Sequence, residues 1–314
     1  MNKVNRILLL GVVASLLLSV STLFASTADA QPAASPLPPS FDRMGPPPPG
    51  ANDWSCIPSA AHPRPVVLVH GTDMDMSSTW STLSPELAGQ GYCVFALDYG
   101  MQSAFWDPSY VAWGVGDITD SADELSEFVD AVIATTGAPQ VDMVGHSQGG
   151  VVARQYLKFD GGADAANPDL NKVDNLITLG ATNHGTSFNG LQQLFLAAKS
   201  LGLPKIISEQ LLFGTAGSQQ LIGSPFLSKL NANSEALPNV KYTVIATKFD
   251  EIVTPPERTF LNTASGSVDN LWVQDECPTS KATHLGLTSD PTVASMVYSA
   301  LDPEYVASGA PACS

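Results

Sequence analysis

The chain of 314 residues is 44% hydrophobic and only 14% charged, with 14 basic and 30 acidic side chains giving a formal charge of −16. Ample apolar content beside few charges excludes global disorder. The acidic balance disfavours a nucleic-acid partner and electrostatic docking on anionic lipid.

At the N-terminus, Lys3 and Arg6 precede an apolar run from Ile7 to Val20, and Ala28-Asp29-Ala30 places small residues at a cleavage position. This predicts a secretory signal peptide over residues 1–30. The run is short of the roughly 20 residues that a membrane span needs. A secreted, extracellular, monomeric protein without a stable membrane anchor is expected. Loss of residues 1–30 removes Lys3, Arg6 and Asp29 and leaves a charge of −17. Residues 31–51 follow as an arm with eight prolines, which predicts extended or disordered chain that buries no apolar surface. From Asn52 onward apolar runs alternate with polar helical segments, and a single domain is expected over 52–314.

Val66–Val69 is a continuous apolar run of the kind buried on both faces of a parallel sheet. Ser77 to Gln90 predicts a helix, Tyr92 to Tyr99 a second strand, and Asp117 to Ala134 an amphipathic helix with Leu125, Phe128, Val129, Val132 and Ile133 on one face. Val141 to Val144 is a strand running into Gly145, and Gly149 to Phe159 is a helix. Strands follow at Val173–Leu179, Tyr242–Thr247 and Asn270–Val273, and a helix at Pro291–Leu301. The alternation implies an α/β fold, with a mostly parallel sheet covered by helices on both faces. The stretch from Asn183 to Asn239 is too long for a plain connection. Its apolar positions, among them Leu191, Phe195 and Leu212, fit either ordinary helices on the sheet or a cap over an apolar pocket.

Cys56, Cys93, Cys277 and Cys313 are four cysteines in an exported chain, which reads as two disulfides. Three pairings are open. Nearness in sequence favours Cys56 with Cys93 and Cys277 with Cys313. A zinc site would be expected to show a CxxC spacing, and the sequence has none.

Gly145-His146-Ser147-Gln148-Gly149 fits G-x-S-x-G, and it lies between a strand and a helix, the setting in which this motif exposes a nucleophilic serine. A serine hydroxyl needs a base to take its proton. With the order Ser, acid, His, His62, His70 and His146 come too early, and His184 lies too soon after the strand Val173–Leu179 to follow an acid on a later strand. His284, in the loop before the last helix, remains. Asp250, at the end of a strand, is the candidate acid. Glu251 is its alternative, and Asp269 and Asp275 are less well placed. Two backbone N–H groups are expected to hold the oxyanion. They are assigned to Gln148, after the nucleophile, and to Thr72, in the turn after the first strand. The Thr72 hydroxyl is a possible third donor.

Taken together, VVLVHGT, VDMVGHSQGGVVARQY, NHGTSF, TKFDEIVTP and THLGLTSDP resemble segments of secreted lipases of the α/β-hydrolase superfamily, actinobacterial extracellular lipases above all and yeast lipase B more distantly. The likeness spans about Asn52 to Ser314. It implies an α/β-hydrolase fold and a triad of Ser147, Asp250 and His284, with an oxyanion hole at Thr72 and Gln148. It further implies two disulfides, no cofactor or metal, and a lipid or other ester substrate, met at an oil–water interface. Triacylglycerol hydrolysis is the expected activity. A short-chain carboxylesterase, a polyester hydrolase and an inactive binding module are the alternatives. Many of these relatives carry Asp just before the histidine, where this chain has Thr283.

Overall fold

Val66–Val69 forms strand β1, with all four side chains removed from solvent. Successive residues point to opposite faces of the sheet, so Val67 and Val69 enter one apolar cluster while Val66 and Leu68 enter the other. The computed structural model describes residues 37, 41–103, 111–190, 192, 210–265, 267–302 and 313. The signal-peptide segment and the apolar positions Leu191 and Phe195 lie outside them.

In chain order, β1 is followed by helices α1 (Met76–Thr79) and α2 (Leu83–Gly89), strand β2 (Val94–Leu97) and a two-stranded ribbon of β3 (Gln102–Ser103) and β4 (Val111–Ala112). Helix α3 (Ile118–Thr136), strand β5 (Val141–His146), helix α4 (Gln148–Phe159) and strand β6 (Val173–Leu179) come next. The remaining helices and strands among the described residues are α5 (Gln210–Gln219), α6 (Pro225–Leu230), β7 (Lys241–Ala246), β8 (Ser267–Trp272), α7 (Val273–Glu276) and α8 (Pro291–Leu301).

Among the described residues the main sheet has six strands in the order β2-β1-β5-β6-β7-β8, and every pairing is parallel. From β1 the chain builds outward to β2, then returns to β5 on the other side. The strand order therefore reverses between β1 and β5, and a crevice opens there at the carboxyl ends of the strands. Helices α3 and α4 bury Leu125, Phe128, Val152 and Tyr156 against one face. Trp80, Leu87, Val293 and Val297 cover the other.

Local chemistry explains where the elements depart from expectation. The single helix predicted over Ser77–Gln90 is two helices. Pro85 has no N–H to give an interior turn, so it is tolerated in the first turn of α2 but would break a continuous helix. Helix α3 starts one residue late because the Asp117 side chain caps it by accepting from Thr119 N, and it ends at Gly137, whose φ of 69° closes the helix. The last strand begins earlier than predicted and passes at Val273 into a short helix. The β3–β4 ribbon has no signal in the hydrophobic pattern.

The second half of the proline-rich stretch does bury apolar surface, counter to expectation. Phe41 is buried against Phe128, 5.9 Å between ring centres. Gly45 N donates to Asp98 Oδ2 at 2.9 Å, and Ala51 bridges to Val94. The sulfurs of Cys56 and Cys93 are bonded, as are those of Cys277 and Cys313.

Candidate active site

Strand β5 delivers the chain to Ser147 and α4 takes it away. The turn between them holds Ser147 at φ 54° and ψ −123°, a positive φ that a non-glycine residue adopts at a cost of about 1–3 kcal/mol. Burial of the flanking elements maintains it: β5 and the first turns of α4 are fully enclosed. Gly149 allows the close approach, since a Cβ there would lie 2.1 Å from the carbonyl oxygen of Val69. The serine is thereby set at the crevice between β1 and β5.

Two distant loops bring the other groups. His284 precedes the 3-10 turn Leu285–Thr288, and its Nε2 lies 3.0 Å from Ser147 Oγ. Its Nδ1 lies 2.8 Å from Asp250 Oδ2. The other carboxylate oxygen of Asp250 accepts from Ile252 N at 2.9 Å and Val253 N at 2.7 Å, which fixes the plane of the group. With Nδ1–H donating to the carboxylate, Nε2 is left to accept the serine proton.

The main chain of His284 is held from both sides. Glu251 Oε2 accepts from His284 N at 3.1 Å, so the alternative acid binds the backbone of His284 rather than its ring. His146 Nε2–H donates to His284 O at 3.0 Å. Burial, followed by the repulsion that two protonated imidazoles would feel beside His284, pushes the His146 imidazole down to about 3, so it remains neutral.

The other acids and histidines serve elsewhere. Asp269 lies exposed on β8, and Asp275 faces Lys248 at 3.4 Å. Asp98, which ends an earlier strand, binds Gly45 N and Met76 N. His70 donates Nδ1–H to Gly71 O at 2.8 Å and stacks on Tyr99, while His184 pairs with Glu235 at 3.1 Å.

Thr72 follows β1, and Gln148 is the first residue of α4. They adjoin: Gln148 Nε2 donates to Thr72 Oγ1 at 3.0 Å. Gln220, at the end of α5, donates to the same oxygen at 2.9 Å. Neither Gln220 nor the backbone contacts of His146 and Glu251 had a sequence signal. Among the described residues no group of three or more His, Cys, Asp or Glu is arranged to hold a metal ion.

A parallel sheet that carries a strained serine turn at its switch point is the α/β-hydrolase architecture. Lipase B of Aspergillus fumigatus shares the fold, with a TM-score of 0.54 at 20% identity over 81% of this chain and 59% of that one. Residues 63–294 match the family described as Lipase (class 2), and the chain belongs to that family. Triacylglycerol lipases of Pseudarthrobacter phenanthrenivorans and Burkholderia plantarii are each 29% identical over 183 residues, or 57% of this chain. The match spans 49% and 44% of their lengths, about half of each relative.

Proposed function

We propose that this chain is a carboxylic ester hydrolase working through an acyl-enzyme, with triacylglycerols as its substrate class. The observation that carries the reading is the relay from Ser147 Oγ to His284 Nε2 at 3.0 Å and from His284 Nδ1 to Asp250 at 2.8 Å. Ser147 Oγ bonds to the ester carbonyl carbon while His284 takes the hydroxyl proton. Asp250 stabilises the imidazolium that forms. The N–H groups of Thr72 and Gln148 and the Thr72 hydroxyl receive the oxyanion. As the tetrahedral intermediate collapses, the alkoxide leaves with the proton from His284. Water, deprotonated by the same imidazole, then releases the fatty acid and restores the serine.

Membership of the lipase family and the two curated relatives support this substrate class. Residues 1–30 act in this reading as an export signal, and the disulfides Cys56–Cys93 and Cys277–Cys313 suit an oxidising destination. Ser147→Ala is expected to lower kcat for a p-nitrophenyl ester by about 10⁶-fold while circular dichroism stays unchanged. Near-normal turnover would overturn the mechanism. Rates on esters of increasing acyl length and on emulsified triglyceride test the substrate class. A steady fall beyond butyrate would instead assign a short-chain esterase.

A further inference from the structure

Thr72 Oγ1 receives two amide N–H groups, one from Gln148 Nε2 at 3.0 Å and one from Gln220 Nε2 at 2.9 Å. Both amides are oriented by their other partners. Gln148 Nε2 also meets Gly114 O at 2.9 Å, and Gln220 Nε2 meets Ala216 O at 3.1 Å. A carbonyl oxygen only accepts, so nitrogen must face it in each case. Gln220 Oε1 in turn accepts the Thr182 hydroxyl proton at 2.9 Å.

A hydroxyl has two lone pairs and one proton. With an N–H on each lone pair, the Thr72 proton keeps one tetrahedral direction, and among the described residues no acceptor takes it. We propose that Gln220 is a positioning residue that, together with the Gln148 side chain, turns the Thr72 hydroxyl proton toward the oxygen that becomes negative when Ser147 attacks. The inference rests on the reading of Thr72 as part of the oxyanion hole. Its advantage is preorganisation: a donor already aimed at the developing charge needs no reorientation during the reaction.

The packing supports a fixed position for Gln220. It is 1% exposed, and its backbone oxygen accepts from Thr186 N at 2.9 Å. Ala216 N, one turn earlier, donates to Val115 O at 3.3 Å. Next to Val115, Gly114 lies against the oxyanion turn, where a Cβ would come within 2.7 Å of Gly71 O and 3.3 Å of Thr72 Cα. Three segments far apart in sequence, at 71–72, 114–115 and 216–220, thus stack behind one hydroxyl.

A double-mutant cycle on p-nitrophenyl butyrate hydrolysis separates this role from simple packing. Thr72→Val should lower kcat by about 10²-fold, and Gln220→Leu by about tenfold with KM little changed. In the Thr72→Val background, Gln220→Leu should add no more than about twofold, because there is no hydroxyl left to orient. Gln220→Glu keeps the shape but, ionised at alkaline pH, presents only acceptors. It would draw the hydroxyl proton away from the substrate and cost more than Gln220→Leu. This variant carries the test, alone and combined with Thr72→Val, if Gln220→Leu fails to fold. Equal losses from Gln220→Leu in both backgrounds, or wild-type kcat for Gln220→Glu, would overturn the proposal and leave the Thr72 donor standing. Full kcat in Thr72→Val would remove both the hydroxyl donor and the role of Gln220, while hydrolysis through Ser147 would remain.

Discussion

The serine turn and the histidine loop meet at a 3.0 Å contact, yet they are held in place by different physics. Ser147 is fixed by sterics within a few residues: a buried strand, a buried helix and the absence of a Cβ at Gly149, where β1 presses close. His284 sits in a loop anchored by distant segments. Thr283 bridges to Phe249 through the backbone, and side chains hold His284 itself, Asp250 on the ring, Glu251 on the N–H and His146 on the carbonyl. On the proposed mechanism, a nucleophile on a rigid turn and a base tethered by polar contacts should therefore fail in different ways.

Short of removing the serine hydroxyl itself, the largest effect is expected on the histidine side. Asp250→Asn keeps the volume but replaces the acceptor at Oδ2, which leaves the imidazole in the wrong tautomer, and kcat should fall by about 10⁴-fold without loss of fold. A kcat within tenfold of wild type would show that another group orients the base. On the serine side, Gly149→Ala should act on stability first. The added methyl meets the Val69 carbonyl at 2.1 Å, so the helix must shift at a cost of about 3 kcal/mol. Thermal denaturation should then show a midpoint lower by roughly 10 °C. An unchanged midpoint would mean that the close approach of α4 to β1 is not enforced. The smallest effect is at His146. His146→Leu should lower kcat by about tenfold through the lost bond to the His284 carbonyl, and His146→Gln, whose amide can donate to the same oxygen, should recover most of it. Equal losses in both variants would reduce His146 to a packing residue.

Legibility follows the same division. G-H-S-Q-G between an apolar strand and a helix announces the serine turn because the constraint is local. The elimination among five histidines leads to His284 because chain order limits which loop can return over the sheet. Asp250 and Glu251 are adjacent carboxylates that the sequence could rank but not separate, and in the structure the backbone at Ile252–Val253 holds Asp250 facing the imidazole while Glu251 takes the His284 N–H. Gln220 is invisible for the opposite reason: it is an ordinary polar residue 148 positions from Thr72. Phe41 misleads because proline content describes what the backbone of the arm cannot do, while burial depends on the apolar groove beside Phe128.

The sequence by itself determined the strands of the main sheet, the serine turn and the chain order of Ser147, Asp250 and His284. These depend on periodicity, glycine placement and chain order, which are properties of neighbouring residues. The tertiary structure alone decided where Glu251 binds, what holds the histidine backbone and which amides bind the Thr72 hydroxyl. Those choices depend on directed hydrogen bonds between segments tens of residues apart, whose distances are set only when the sheet has formed.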